Sequence, residues 1–96
     1  MALRFNWDKE KATSNQRKHG VTFDEASTVF ADPLAVIFED EEHSLDEVRE
    51  IAIGHSVLHR LLLVSFTERG EDLVRIISAR KGTRRERSDY EEGIRP

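Results

Sequence analysis

The chain contains no cysteine. That absence excludes disulfides, thiolate metal sites and a cysteine nucleophile, and it sets the expectation of a reducing, cytoplasmic setting. No apolar run approaches the ~20 residues that a bilayer-spanning helix needs, and the start Met1-Ala2-Leu3-Arg4-Phe5-Asn6 lacks the apolar stretch of a signal peptide. No membrane association is expected. Glycine-rich phosphate loops and Gly-x-Ser-x-Gly elbows are missing too, which removes two routes to nucleotide or ester hydrolysis. His55 and His59 stand four residues apart in what reads as a turn, and the run Glu39 to Ser44 lacks the alternating Asp/Asn and Gly of a calcium loop. Neither a metal nor a cofactor is expected, and 96 residues fit one domain spanning 1–96 around one core.

What is present is charge, sorted along the chain. Residues 1–22 hold five bases and two acids, residues 39–50 hold seven acids and one base, and residues 75–87 hold six bases and one acid, within a total of −4. The acidic total argues against indiscriminate coating of nucleic acid. Binding follows the local field, however, which the two basic segments supply together. The stretch Arg75-Ile76-Ile77-Ser78-Ala79-Arg80-Lys81-Gly82-Thr83-Arg84-Arg85-Glu86-Arg87 runs from a strand pattern into a helix start. A helix start presents backbone N–H groups and a positive dipole end, so bases placed there build a site suited to phosphate. We read it as a polyanion site, for RNA.

Local patterns give the elements. Leu3, Phe5 and Trp7 alternate with polar residues as in a half-buried strand, and Asp8 caps a helix from Lys9 to Lys18 that His19-Gly20 stops. That helix has almost no large apolar residue. Its contact row, Ala12, Asn15 or Gln16, and His19, predicts docking that is weak or polar. Thr22-Phe23-Asp24-Glu25 is a capping box with Val21 and Ala26 at staple spacing, and the helix it opens ends at Asp32-Pro33. Strands are predicted at 34–38, 48–54, 60–67 and 73–80, the last three joined by connections too short for parallel crossovers. Thr83-Arg84-Arg85-Glu86 is a second capping box, opening a last helix through Tyr90 to Glu92. The predicted fold is α+β, a small antiparallel sheet with helices on one face in the order β-α-α-β-β-β-β-α.

On the last strand, alternation places Leu73, Arg75, Ile77 and Ala79 on one face and Val74, Ile76, Ser78 and Arg80 on the other. Arg75 then either offers its five-donor fork to a phosphate or pairs with a cross-strand acid, Glu50 or Glu68. Arg84 and Arg85 occupy a helix's first turn against the dipole preference, and such violations tend to mark function.

These residues resemble the BrnT family of bacterial type II toxins. The resemblance rests on Phe5-x-Trp7-Asp8-x-x-Lys11-x-x-x-Asn15-x-x-Lys18-His19-Gly20-Val21-x-Phe23-x-x-Ala26, on Arg49-x-Ile51-x-Ile53-Gly54, on Thr67-Glu68-Arg69, and on Arg75 to Lys81 with Glu86 and Tyr90 beyond. Gly82 stands where the family pattern has Ala. It implies a RelE-like ribonuclease fold, RNA cleavage that halts translation, and neutralisation by a BrnA-like ribbon-helix-helix antitoxin. Operator DNA would be bound only through the toxin–antitoxin complex. In such a site Arg75, Arg80 and Lys81 would stabilise the phosphorane, Glu68 would be the base, and Tyr90 or a histidine the acid. Lys11, Lys18, His19, Arg49, Arg84 and Arg85 would hold the RNA. The rival readings are a binding module that grips a basic partner or nucleic acid without cutting, and a structural domain whose charges are merely solvated.

Overall fold

The computed structural model describes residues 3–44 and 47–93. The elements are β1 (Arg4–Asn6), α1 (Lys9–His19), α2 (Phe23–Ser27), a 3-10 turn (Thr28–Ala31), β2 (Val36–Glu39), a second 3-10 turn (Glu41–His43), β3 (Glu50–His55), β4 (Leu61–Glu68), β5 (Leu73–Lys81) and α3 (Arg84–Gly93). The predicted order holds, with two short 3-10 turns added. One turn finishes the second helix before Pro33. The other lies within the acidic run expected to be a plain loop.

The sheet has the order β1-β5-β4-β3-β2. From β2 to β5 it is the expected antiparallel meander, but β1 joins β5 in parallel, so the sheet is mixed. Parallel pairing is open to β1 because the whole rest of the chain serves as its crossover.

A hydrophobic layer fills one face. Val21, Phe23, Ala26 and Val29 from the helical layer meet Ala52, Leu62, Val64, Phe66, Val74, Ile76 and Ala79 from the sheet. Phe30 sits between Phe5, tilted to it at a centroid distance of 5.3 Å, and Phe66, edge-on to it at 4.9 Å. At Gly54 the two layers approach so closely that a Cβ would fall 2.9 Å from the Ala35 Cβ, which only glycine permits.

The helices do not all share that face. Tyr90 of α3 lies against His55, at a centroid distance of 5.7 Å, and α3 lines a groove with Val36 and Ile53. Register and alternation put those residues on the sheet face opposite the core. The reason is the geometry of Gly82-Thr83, where the chain turns off the end of β5. The Thr83–Glu86 box forms in both directions, Glu86 N–H to Thr83 Oγ1 at 3.1 Å and Thr83 N–H to Glu86 Oε1 at 2.9 Å.

Helix α1 docks as its composition requires. Asp8 accepts from the N–H groups of Glu10 and Lys11, and Gly20 closes the helix at φ +67°. Asn15 is the buried member of its contact row, while Gln16 and His19 are exposed. The Asn15 amide donates to Ala79 O at 2.8 Å and to Val21 O at 3.0 Å, and its oxygen accepts the Ala79 N–H at 3.0 Å. Strand β1 pairs with β5 only at Leu73 to Arg75. Beyond that, Asn15 completes the ladder that β1 leaves unfinished.

The two capping boxes differ. Thr22 Oγ1 accepts the Glu25 N–H at 3.0 Å, but the Glu25 carboxylate does not return to Thr22. It is buried, paired with the Arg60 guanidinium and accepting from Ser56 Oγ at 2.7 Å. The Arg60 hydrogen bond holds the Glu25 carboxyl below its usual range.

Asn15→Ala would leave the Ala79 N–H and C=O unpaired in the interior. A loss of roughly 2–3 kcal/mol is expected from urea unfolding, whereas Gln16→Ala, on the exposed side, should fall within about 0.5 kcal/mol of the parent.

Candidate nucleic-acid interface

Strand β5 does not alternate strictly. Thr67 faces Arg75 and Ser65 faces Ser78, so three residues of β5 span an interval that β4 covers with two. The extra residue in the interval after Ile76 makes a bulge, and a bulge re-aims every side chain beyond it. Arg75, Ser78 and Arg80 consequently share the face opposite the core, in line with Thr67, Ser65 and Leu63 of β4. Val74, Ile76 and Ala79 share the core face. Ser78 and Arg80 therefore lie with Arg75, and Ala79 opposite it, which corrects the expected alternation.

Arg75 makes one side-chain hydrogen bond, to Asn6 Oδ1 at 3.3 Å. Among the described residues it forms no ion pair. Neither Glu50 nor Glu68 is its partner, because register puts both on the other face. Lys11 joins Arg75 around Asp8, whose carboxyl is held below its usual range first by the Lys11 N–H and further by the charges of Lys11 and Arg75.

Arg80 is differently placed. Its guanidinium forms two parallel bonds to Glu86, at 2.7 and 2.8 Å, and a third to Lys81 O at 3.3 Å. The Arg80 bond and then the Thr83 N–H pull the Glu86 carboxyl down to about 2. Arg80 is thus oriented but largely neutralised. Four residues of β4 separate the partners of Arg75 and Arg80, roughly 13 Å at the rise of a strand. The two forks address different points on one surface.

Lys81 does not join them. It lies opposite Leu62 on the core side, where its charge acts on Glu25. The closing turn of α1, with Lys18 and His19 exposed, is tied to that same end through Arg60 Nη2 to Gly20 O at 3.0 Å. Arg84 and Arg85 are exposed on the first turn of α3. Arg49 is half-buried ahead of β3, its backbone engaged by Asp40 and Ser44.

Two expected acid–base groups lie elsewhere. Glu68 lies on the core side, diagonal to Glu50, which stands opposite Phe66 on one side and Glu39 on the other. Burial, then the charges of Glu68 and Glu39, push the Glu50 carboxyl up. The Tyr90 hydroxyl donates to Leu34 O at 2.8 Å and is pushed up by burial, which makes it an anchor for α3. Asn6 and Ser65 were not singled out by sequence reasoning, while Ser78 and Glu86 entered it only as pattern and capping residues, with no role at the site. The second capping box could have revealed Glu86, since it folds that carboxylate back toward the strand end that carries Arg80.

A mixed sheet with helices on both sides, carrying Arg75 and Arg80 on the face opposite its core, defines a small α+β domain. The sequence profile of the "Ribonuclease toxin, BrnT, of type II toxin-antitoxin system" matches residues 7–86, and the chain belongs to the BrnT family. It is a ribonuclease toxin with a protein antitoxin as partner. The fold is similar to that of the Brucella abortus ribonuclease toxin BrnT, at TM-score 0.68 and 24% identity, over 86% of this chain and 100% of that one. No curated protein sequence matches the chain. Among the described residues no helix is long and apolar enough to cross a membrane.

Glu86 has a folded value below its unfolded one, so the stability it brings is present above about pH 4.5 and lost as pH falls toward about 2. Unfolding followed across that window should show the loss in the parent and not in Glu86→Gln. Glu50 has the opposite sign, its charged form being the strained one. Glu50→Gln should raise the melting temperature at pH 7.

Proposed function

We propose that the face bearing Arg75, Ser78 and Arg80 binds single-stranded RNA along its backbone and cleaves it without a metal, in the cytoplasm. The observation that carries this reading is the β5 bulge, which alone sets the two arginines on one surface. Arg75 supports it further, since most of its donors are uncommitted.

In this reading the ribose 2′-oxygen attacks the neighbouring phosphorus and the 5′-oxygen leaves, giving a 2′,3′-cyclic phosphate and a 5′-hydroxyl. Arg75 holds the non-bridging oxygens as charge builds on the phosphorane, because a planar fork in place before reaction loses little to reorganisation. Arg80, fixed by Glu86, grips a second phosphate and sets the register of the chain. Lys11 beside Arg75 and Arg84 and Arg85 at the start of α3 extend the field to either side. Catalysis by this surface is orientation plus charge stabilisation. We further assign the antitoxin to the ribbon-helix-helix, BrnA-like class, with operator DNA contacted through the complex.

Expression of the chain alone should arrest growth, and Arg75→Ala should abolish the arrest. In vitro, Arg75→Lys keeps the charge and loses the fork. It should retain RNA affinity within severalfold while cleavage falls at least 100-fold. Cleavage should persist in EDTA and leave cyclic phosphate ends. A requirement for magnesium would overturn the metal-free reading, and salt-dependent RNA binding with no cleavage would favour a binding module.

A further inference from the structure

Strand β2 is an edge of the sheet, and every one of its residues is exposed. Val36, Ile37 and Phe38 keep 46, 50 and 43% of their surface in solvent. Alternation carries these apolar side chains to both faces of the strand, and the outer backbone groups lack a protein strand beside them. Exposed apolar edges pair with other chains unless something covers them. Val36 is also a wall of a groove of about 390 Å³ between the sheet and α3, completed by Ile53, Tyr90, Gly93, Glu86 and Asp89. Edge and groove are continuous.

The rim decides which partner fits. Glu39, Asp40, Glu41 and Glu42 follow β2 directly, and Glu86 and Asp89 flank the groove on the other side. Between Leu34 and Glu42 the chain has no base. RNA is repelled by such a border. A second copy of this chain would bring the same acids against it, so the charge favours neither polyanion nor self-pairing.

Resting on the toxin reading above, we propose that β2 and the adjoining groove are the docking surface for an extended segment of the antitoxin, with alternating apolar side chains and flanking Lys or Arg. The segment adds a strand to the sheet at β2, main-chain bonds supplying affinity and the groove accepting a side chain. Glu86 is shared between the groove and Arg80. An occupant therefore reaches the Arg80 end of the RNA-binding face, which couples docking to neutralisation.

The probe is the purified product of the reading frame immediately downstream of this chain's gene, titrated against the parent and two variants. Phe38→Ser removes an exposed apolar contact, and the double variant Glu41→Lys/Glu42→Lys reverses charges that are fully at the surface and play no part in the core. Each variant should weaken binding at least tenfold at 0.1 M salt, and the parent complex should weaken as salt rises. Both variants, expressed alone, should still arrest growth, and the downstream gene should no longer rescue it. Unchanged affinity in both variants overturns the proposal while leaving the toxin reading intact. So does failure of the downstream product to bind the parent, or a β2-dependent homodimer seen by sedimentation with antitoxin binding unaffected. Absence of growth arrest by the parent sinks the toxin reading instead, and the titration still decides the surface.

Discussion

Strand β5 has to satisfy two sets of neighbours at once: β4 along its whole length, and on the other side β1 for only three residues followed by a helix. The bulge and Asn15 are the two devices that make this possible. The extra residue turns the upper half of the strand so that Ala79, not Ser78, meets the core, and Asn15 supplies to Ala79 both the donor and the acceptor of a missing strand neighbour. A helix with almost no apolar surface can dock here because an amide fully bonded in the interior avoids the cost of an unpaired ladder edge. The placement of Arg75 and Arg80 on one face is a by-product of that accommodation.

The cationic face is more economical than a cluster of free bases. Among the described residues Arg80 gives two donors to Glu86, Arg69 gives one to Glu47 at 2.9 Å and one to Thr67, and Arg75 gives one to Asn6. Pairing lowers the net field but fixes geometry. A fork held by a carboxylate loses less freedom when phosphate arrives than one free in solvent. The Arg80–Glu86 pair also joins β5 to α3, so the contact that orients this guanidinium also holds the last helix to the sheet.

Charge segregation divides the molecule by function. Acids collect at β2 and around Glu50, where Glu39 directly opposite and Glu68 on the diagonal strain the sheet. Bases collect around β1, β5 and the start of α3. The two fields lie on different borders of one small domain, and the strain at Glu50 marks a place where the sheet is not built for stability alone.

The sequence by itself determined the order of the elements, the positions of the three N-terminal caps, the polar docking of α1 and the location of the basic stretch. These are local matters, settled by side chains reaching backbone groups within a turn or by the spacing of apolar residues. Tertiary structure decided the rest. The bulge in β5 follows from register against β4, the mixed sheet from where β1 finds a free edge, and the burial of Glu25 from meeting Arg60 across 35 residues of chain. Alternation predicts that Arg75 and Arg80 look in opposite directions and leaves Lys81 beside Arg75. A single unpaired residue inverts that arrangement, because side-chain direction in a strand depends on the count of residues to its partner, and that count exists only once the two strands are paired.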